Sequence, residues 1–69
     1  MKRHHLRILR LRNGLSQKEM AEKLDISESH YKGIENGFAD PSYKTSVKYL
    51  EVFGRRNLWR LFNKGKENK

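Results

Sequence analysis

The 69-residue chain carries 16 Lys and Arg against 8 Asp and Glu, giving a net charge of +8 and a pI near 10.1. That length holds one domain, close to the lower limit at which a core folds without disulfides or metal, and the absence of cysteine excludes both disulfide staples and thiolate metal sites. The charge excess points to a polyanionic partner ahead of an anionic membrane, and no apolar run approaches a membrane span or a signal peptide, since Lys2-Arg3 is followed by His4-His5.

The first predicted helix runs from about His5 to Arg12. Leu6 and Leu9, with Ile8 at the margin, form an apolar seam between Arg3, Arg7, Arg10 and Arg12. Asn13-Gly14 followed by Leu15 reads as a glycine-terminated helix end with its hydrophobic contact. Ser16 with Glu19 three residues later is a capping box that starts a second helix. Met20, Ala21 and Leu24 take its inner face, and Lys18, Glu19, Glu22 and Lys23 its outer one.

The third helix must begin almost at once. Asp25 tolerates a left-handed or bridge conformation, Ile26 can tuck inward, and Ser27 is a second N-cap with Glu28 at the positive end of the helix dipole. Tyr31 and Ile34 face inward, Glu28, Ser29, Lys32 and Gly33 face outward, and Asn36-Gly37 stops the helix. Two short helices joined so tightly cross steeply and present the second as a ridge that fits a major groove. After the loop Phe38-Ala39-Asp40, Pro41 in the first turn and Ser42 or Asp40 as cap open a fourth helix. Val47, Leu50 and Phe53 are its expected buried face, Tyr43 and Tyr49 flank it, and Gly54 ends it. Arg55-Arg56 then lead to Asn57 as cap of a last short helix with Leu58, Leu61 and Phe62 apolar and Trp59 on another side. The expected architecture is one all-α domain over residues 1–63, a compact five-helix bundle, followed by a disordered basic tail over 64–69.

Leu15-Ser16-Gln17-Lys18-Glu19-Met20-Ala21-Glu22-Lys23-Leu24, Ile26-Ser27-Glu28-Ser29, Ile34-Glu35-Asn36-Gly37 and Pro41-Ser42 together resemble the phage-repressor and Cro-like (XRE-type) helix-turn-helix family, over about Leu6 to Phe62. The resemblance implies a lambda-repressor-like bundle and a sequence-specific regulator binding double-stranded DNA as a homodimer on a palindromic operator. It also implies that Arg10 pairs inside the fold with Glu35, the alternatives for Arg10 being a phosphate contact or a solvated charge. Glu28 and Ser29 stand where the family reads bases: Glu can accept from the cytosine amine and Ser from several base edges. His30 and Lys32 are further base or phosphate contacts. Gln17 is suited to a phosphate and to buttressing the next helix, and Ser27, Asn36, Ser42, Tyr43 and Lys44 are the remaining phosphate candidates. The alternative for Glu28 is a carboxylate that only stabilises the first turn.

Two departures stand out. Gly33 replaces the long polar side chain usual in the family, so either the backbone is approached closely there or the position reads nothing. The loop after Gly37 lacks the family's Lys or Arg, carrying Phe38 and Asp40 instead. Phe38 and Trp59 are candidate dimer contacts, unless either folds back onto the core.

An enzyme reading fails on geometry. Asp25, Ser27, Ser29 and His30 have the residue types of a hydrolytic triad but sit on a turn and one helix as caps and surface groups, without an oxyanion site. His4, His5 and His30 lack metal-ligand spacing, so no metal or cofactor is expected. A cytoplasmic protein of bacterial or phage origin fits best. The rival function is an antitoxin or adaptor of the same fold whose aromatic surface, Phe38, Trp59 and Tyr49, binds a protein partner.

Overall fold

The computed structural model describes residues 2–63; the tail expected to be disordered, 64–69, lies outside them. Five α-helices follow in order: α1 His4–Arg12, α2 Gln17–Lys23, α3 Glu28–Glu35, α4 Tyr43–Phe53 and α5 Leu58–Phe62, with a 3₁₀ turn Arg55–Asn57 before the last. The bundle is all-α, as the periodicity predicts.

The first three helices end in the same way, which is why the chain can turn so tightly. In each, the residue beyond the cap has positive φ, and backbone amides reach back to the last turn in a Schellman pattern: Leu15 N donates to Arg10 O, Ile26 N to Ala21 O, and Phe38 N to Gly33 O. Gly14 and Gly37 occupy the left-handed position after α1 and α3, at φ 67° and 85°. After α2 it is Asp25, at φ 59°, a conformation that aspartate tolerates better than most side chains. Starts are equally local. Ser16 Oγ accepts from Glu19 N while Glu19 Oε1 accepts from Ser16 N, completing the capping box, and Ser27 and Ser42 cap α3 and α4 through the amides of His30 and Thr45.

Leu6, Leu9, Met20, Ala21, Leu24, Tyr31, Ile34, Tyr49 and Leu61 form the core, to which every α-helix contributes, and Leu15, Ile26, Phe53 and Leu58 pack against it. α2 and α3 pack on each other more extensively than any other helix pair, so the motif is the densest part of the bundle.

Three readings of the sequence need correction, and one residue goes unread. In α4, Tyr49 is fully buried and Val47 is 37% exposed, so the inward face is Thr45, Tyr49 and Phe53 instead of one centred on Val47. The cause is the phenol: Tyr49 Oη donates to Asn57 O at 2.7 Å, which lets the larger ring enter the core with its polar end satisfied. Pro41 precedes the Ser42 cap and is not in the first turn. Asn57 makes no capping hydrogen bond, because its side-chain Nδ2 donates to Phe53 O and its side-chain Oδ1 accepts from Arg60 Nε. Arg3, which the sequence places only beside the apolar seam of α1, has a role that no reading assigns. It is 1% exposed, and its guanidinium donates to Ile34 O at 2.6 Å, Ala39 O at 3.0 Å and Asp40 Oδ1 at 2.9 Å.

Candidate nucleic-acid interface

α3 divides sharply into two faces. Tyr31, Ile34 and Glu35 are buried, while Ser29 and Lys32 are exposed and Glu28, Gly33 and Asn36 are partly so. Glu28 and Lys32, one turn apart, approach to 3.5 Å, a long and solvent-facing pair that costs little to break. Neither Ser29 nor Lys32 is held by a hydrogen bond among the described residues, so the outward ridge is free to meet a ligand.

The inward face is held in the opposite manner. Glu35 accepts from Arg10 Nε at 2.8 Å, Arg10 Nη2 at 3.2 Å, Tyr31 Oη at 2.6 Å and Gln17 Nε2 at 3.0 Å, which uses the acceptor capacity of both carboxylate oxygens. Arg10 Nη1 also donates to Leu15 O at 2.9 Å. One buried cluster therefore ties α1, the start of α2 and α3 together. Burial pushes the Glu35 carboxyl up, but the hydrogen bonds from Arg10, Tyr31 and Gln17 outweigh it and hold it below its ordinary value. Burial, then the bond to Glu35, raises the Tyr31 phenol, and the bond to Glu35 raises Arg10. Glu35 and Arg10 are thereby favoured in their charged forms and Tyr31 in its neutral one.

Arg10 is thus spent inside the protein, and the Gln17 amide is directed at Glu35. Gln17 still lines, with Asn36, a groove of about 350 Å³ at the C-terminal end of α3. At the other flank, His30 lines a groove of about 500 Å³ with Ser42, Tyr43 and Lys44. Two of the phosphate candidates have committed hydroxyls: Ser27 Oγ caps α3, and Ser42 Oγ both caps α4 and donates to Thr45 Oγ1. Tyr43 and Lys44 remain exposed.

A family model described as Helix-turn-helix matches residues 6–58, most of the chain. The chain belongs to this XRE-type helix-turn-helix family. No curated protein and no solved structure matched it. The family makes the chain a DNA-binding helix-turn-helix regulator, in which α2 and α3 are the motif helices. None of its helices is long and apolar enough, among the described residues, to cross a membrane.

Within this helix-turn-helix protein the two departures acquire physical causes. A Cβ at Gly33 would stand 3.3 Å from Ala39 Cβ, and both Phe38 N and Ala39 N donate to Gly33 O, so the loop lies directly on α3 at this point. Glycine is there for the loop. With Ala39 tucked in, Phe38 is turned out and is 88% exposed. Trp59, 47% exposed, packs instead against the His5 ring at 4.7 Å and under the Arg60 guanidinium at 4.8 Å. Arg3 is what sequence reasoning missed, since its partners lie 31 to 37 positions away and no local pattern marks an arginine for burial.

Proposed function

We propose that this protein is a sequence-specific transcriptional regulator of phage or mobile-element type that inserts α3 into the major groove of double-stranded DNA. It acts as a homodimer on a palindromic operator. The observation that carries this reading is the division of α3: its buried side is saturated by Arg10, Gln17 and Tyr31 around Glu35, while Glu28, Ser29 and Lys32 project from a ridge whose position that cluster fixes. A reader of bases needs such preorganisation, because only a rigid helix turns a bidentate contact into discrimination between base pairs. In this reading Glu28 and Ser29 contact base edges, His30 and Lys32 border them, and Gln17, Asn36, Tyr43 and Lys44 face the backbone on either side, with Ser27 and Ser42 acting chiefly as caps.

Selection of bound sequences from a random duplex pool tests the proposal. It should enrich a short palindrome with half-sites about 10 base pairs, or a multiple, apart. A pool that stays unenriched while total binding persists would leave only a non-specific DNA binder.

A second reading draws on the exposed Phe38. An apolar ring standing clear of the core on a small domain is a surface that a protein partner could cover, as in an antitoxin or adaptor of the same fold. Stable co-purification of a second chain, abolished by Phe38→Ser with duplex binding retained, would favour it.

A further inference from the structure

Positive charge is unevenly spent around the DNA-facing end of the molecule. The groove at the end of α3 is lined by Arg3 and Arg10, but both are neutralised, by Asp40 at 2.9 Å and Glu35 at 2.8 Å. Glu35 is the acidic residue lining this groove, and its oxygens are already taken by Arg10, Tyr31 and Gln17. Lys2 and Arg7 line the same groove, are exposed, and have no carboxylate within ion-pair distance among the described residues. Asn36 stands beside them with its side-chain amide unbonded among the described residues, at the end of the helix that carries the outward ridge.

The chain that carries Lys2 to this groove is anchored at its neighbour, Arg3. Arg3 N donates to Glu35 O at 2.8 Å, and the Arg3 side chain is buried against Ile34 O and Ala39 O. The residues on either side of it, Lys2 and His4, are therefore placed next to the end of α3, where both line the groove. Meanwhile the loop after α3, Phe38-Ala39-Asp40-Pro41, contributes no cation.

We propose that this groove is a backbone-phosphate site, in which Lys2 and Arg7 hold a phosphodiester flanking the bases that α3 reads and the Asn36 amide donates a neutral hydrogen bond to it. The proposal rests on the duplex-binding reading above. Ammonium and guanidinium groups bordering one cavity suit a phosphate, the first as a point charge and the second as a fork of donors. The grip that the loop lacks is supplied by the start of α1, on the side of α3 where Gln17 and Asn36 also lie.

The test compares the full chain with Lys2→Gln/Arg7→Gln and with Arg55→Gln/Arg56→Gln, which removes the same charge from exposed residues that do not line the groove. Duplex affinity is measured over a series of salt concentrations, and melting curves verify that each variant folds. The groove variant should lose on the order of ten-fold in affinity at low salt, with the slope of log affinity against log salt shallower by about 0.9 for each lost contact. The control should stay near the parent in both. In duplexes carrying a neutral methylphosphonate at successive positions, one position should weaken the parent and leave the groove variant unaffected. Equal slopes for the two variants, or identical methylphosphonate penalties for parent and groove variant, would overturn the site while leaving duplex binding standing. A parent whose binding does not depend on salt would overturn the duplex-binding reading and the site with it.

Discussion

The two faces of α3 obey opposite rules. On one, a carboxylate is surrounded by donors from three directions and buried with them; on the other, a serine and a lysine stand in water with no fixed partner closer than the 3.5 Å approach of Glu28 to Lys32. A saturated buried face and an open exposed one thus lie back to back on a single helix of 8 residues. A buried polar cluster is expensive to assemble and more expensive to leave half-satisfied, so it fixes geometry. An exposed polar ridge costs the fold nothing and can be exchanged freely, which is what a family of readers for different sequences requires.

Substitutions should expose this asymmetry, and the largest effect belongs to the inward face. Arg10→Met or Glu35→Leu leaves a buried charge unpaired and should cost about 3 kcal/mol or more, against the roughly 5 to 15 kcal/mol that holds a domain folded. The double variant should lose less than the two single losses added together. Denaturant unfolding of all three measures the coupling, and simple additivity would show that the cluster is not a unit.

The pH dependence of stability should be next in size. Glu35 is held below its ordinary value of 4.5, so its contribution is complete above that pH and is lost as the pH falls through the lower folded value. The Tyr49 phenol is pushed up to about 12 by burial, and Tyr31 is raised further. Their contribution is complete below the ordinary value of 10 and is lost as the pH rises through the folded values. Melting temperature should therefore be flat between about pH 5 and 10 and fall at both ends. Glu35→Gln should lower the plateau and flatten the acid limb; an unchanged acid limb would assign it to other carboxylates such as Glu19, whose carboxyl is lowered chiefly by the Ser16 backbone amide.

What could be read from the sequence follows the range of the interactions. Ser16 and Ser27 as caps and Gly14 and Gly37 as stops are set by neighbours within a few residues and were legible, whereas Ser42 or Asp40 as cap and a left-handed or bridge conformation at Asp25 were alternatives that the structure decides. The assignment of α3's inner and outer positions followed from its period. The inward phase of α4 was not legible, because Val47-Leu50-Phe53 and Thr45-Tyr49-Phe53 are both helical spacings, and the Asn57 carbonyl that receives the Tyr49 phenol decides between them. Burial of Arg3 and the fit of Ala39 over Gly33 depend on contacts made only once the bundle has closed. In the site itself, the sequence suggested which residues face outward and that Gln17 buttresses the next helix, but not that the Ser42 hydroxyl also donates to Thr45 Oγ1.

The smallest effect is expected where the two faces meet. Gly33→Ala gains about 1 kcal/mol of helix propensity and must push Ala39 back by a few tenths of an ångström. Ala39 is held by its N–H to Gly33 O and by Arg3 on its carbonyl, so that displacement offsets the propensity gain and the net change in unfolding free energy should stay within about 1 kcal/mol. A much larger loss would mean that the loop is as rigid as the Glu35 cluster.

The claim that the outward face of α3 discriminates sequence while the inward face holds the fold is tested most directly by Glu28→Gln, measured together for melting and for base preference on the selected duplex. Glu28 lies on the ridge, and its contact with Lys32 is weak enough that stability should not change measurably. If Glu28 accepts a hydrogen bond from a cytosine amine, the amide should shift preference toward adenine at one base pair in each half-site, by about 1 to 3 kcal/mol, with the two positions related by the operator dyad. Uniformly tighter binding to every duplex, with no base preference altered, would contradict the account and make Glu28 a helix-dipole carboxylate that repels phosphates.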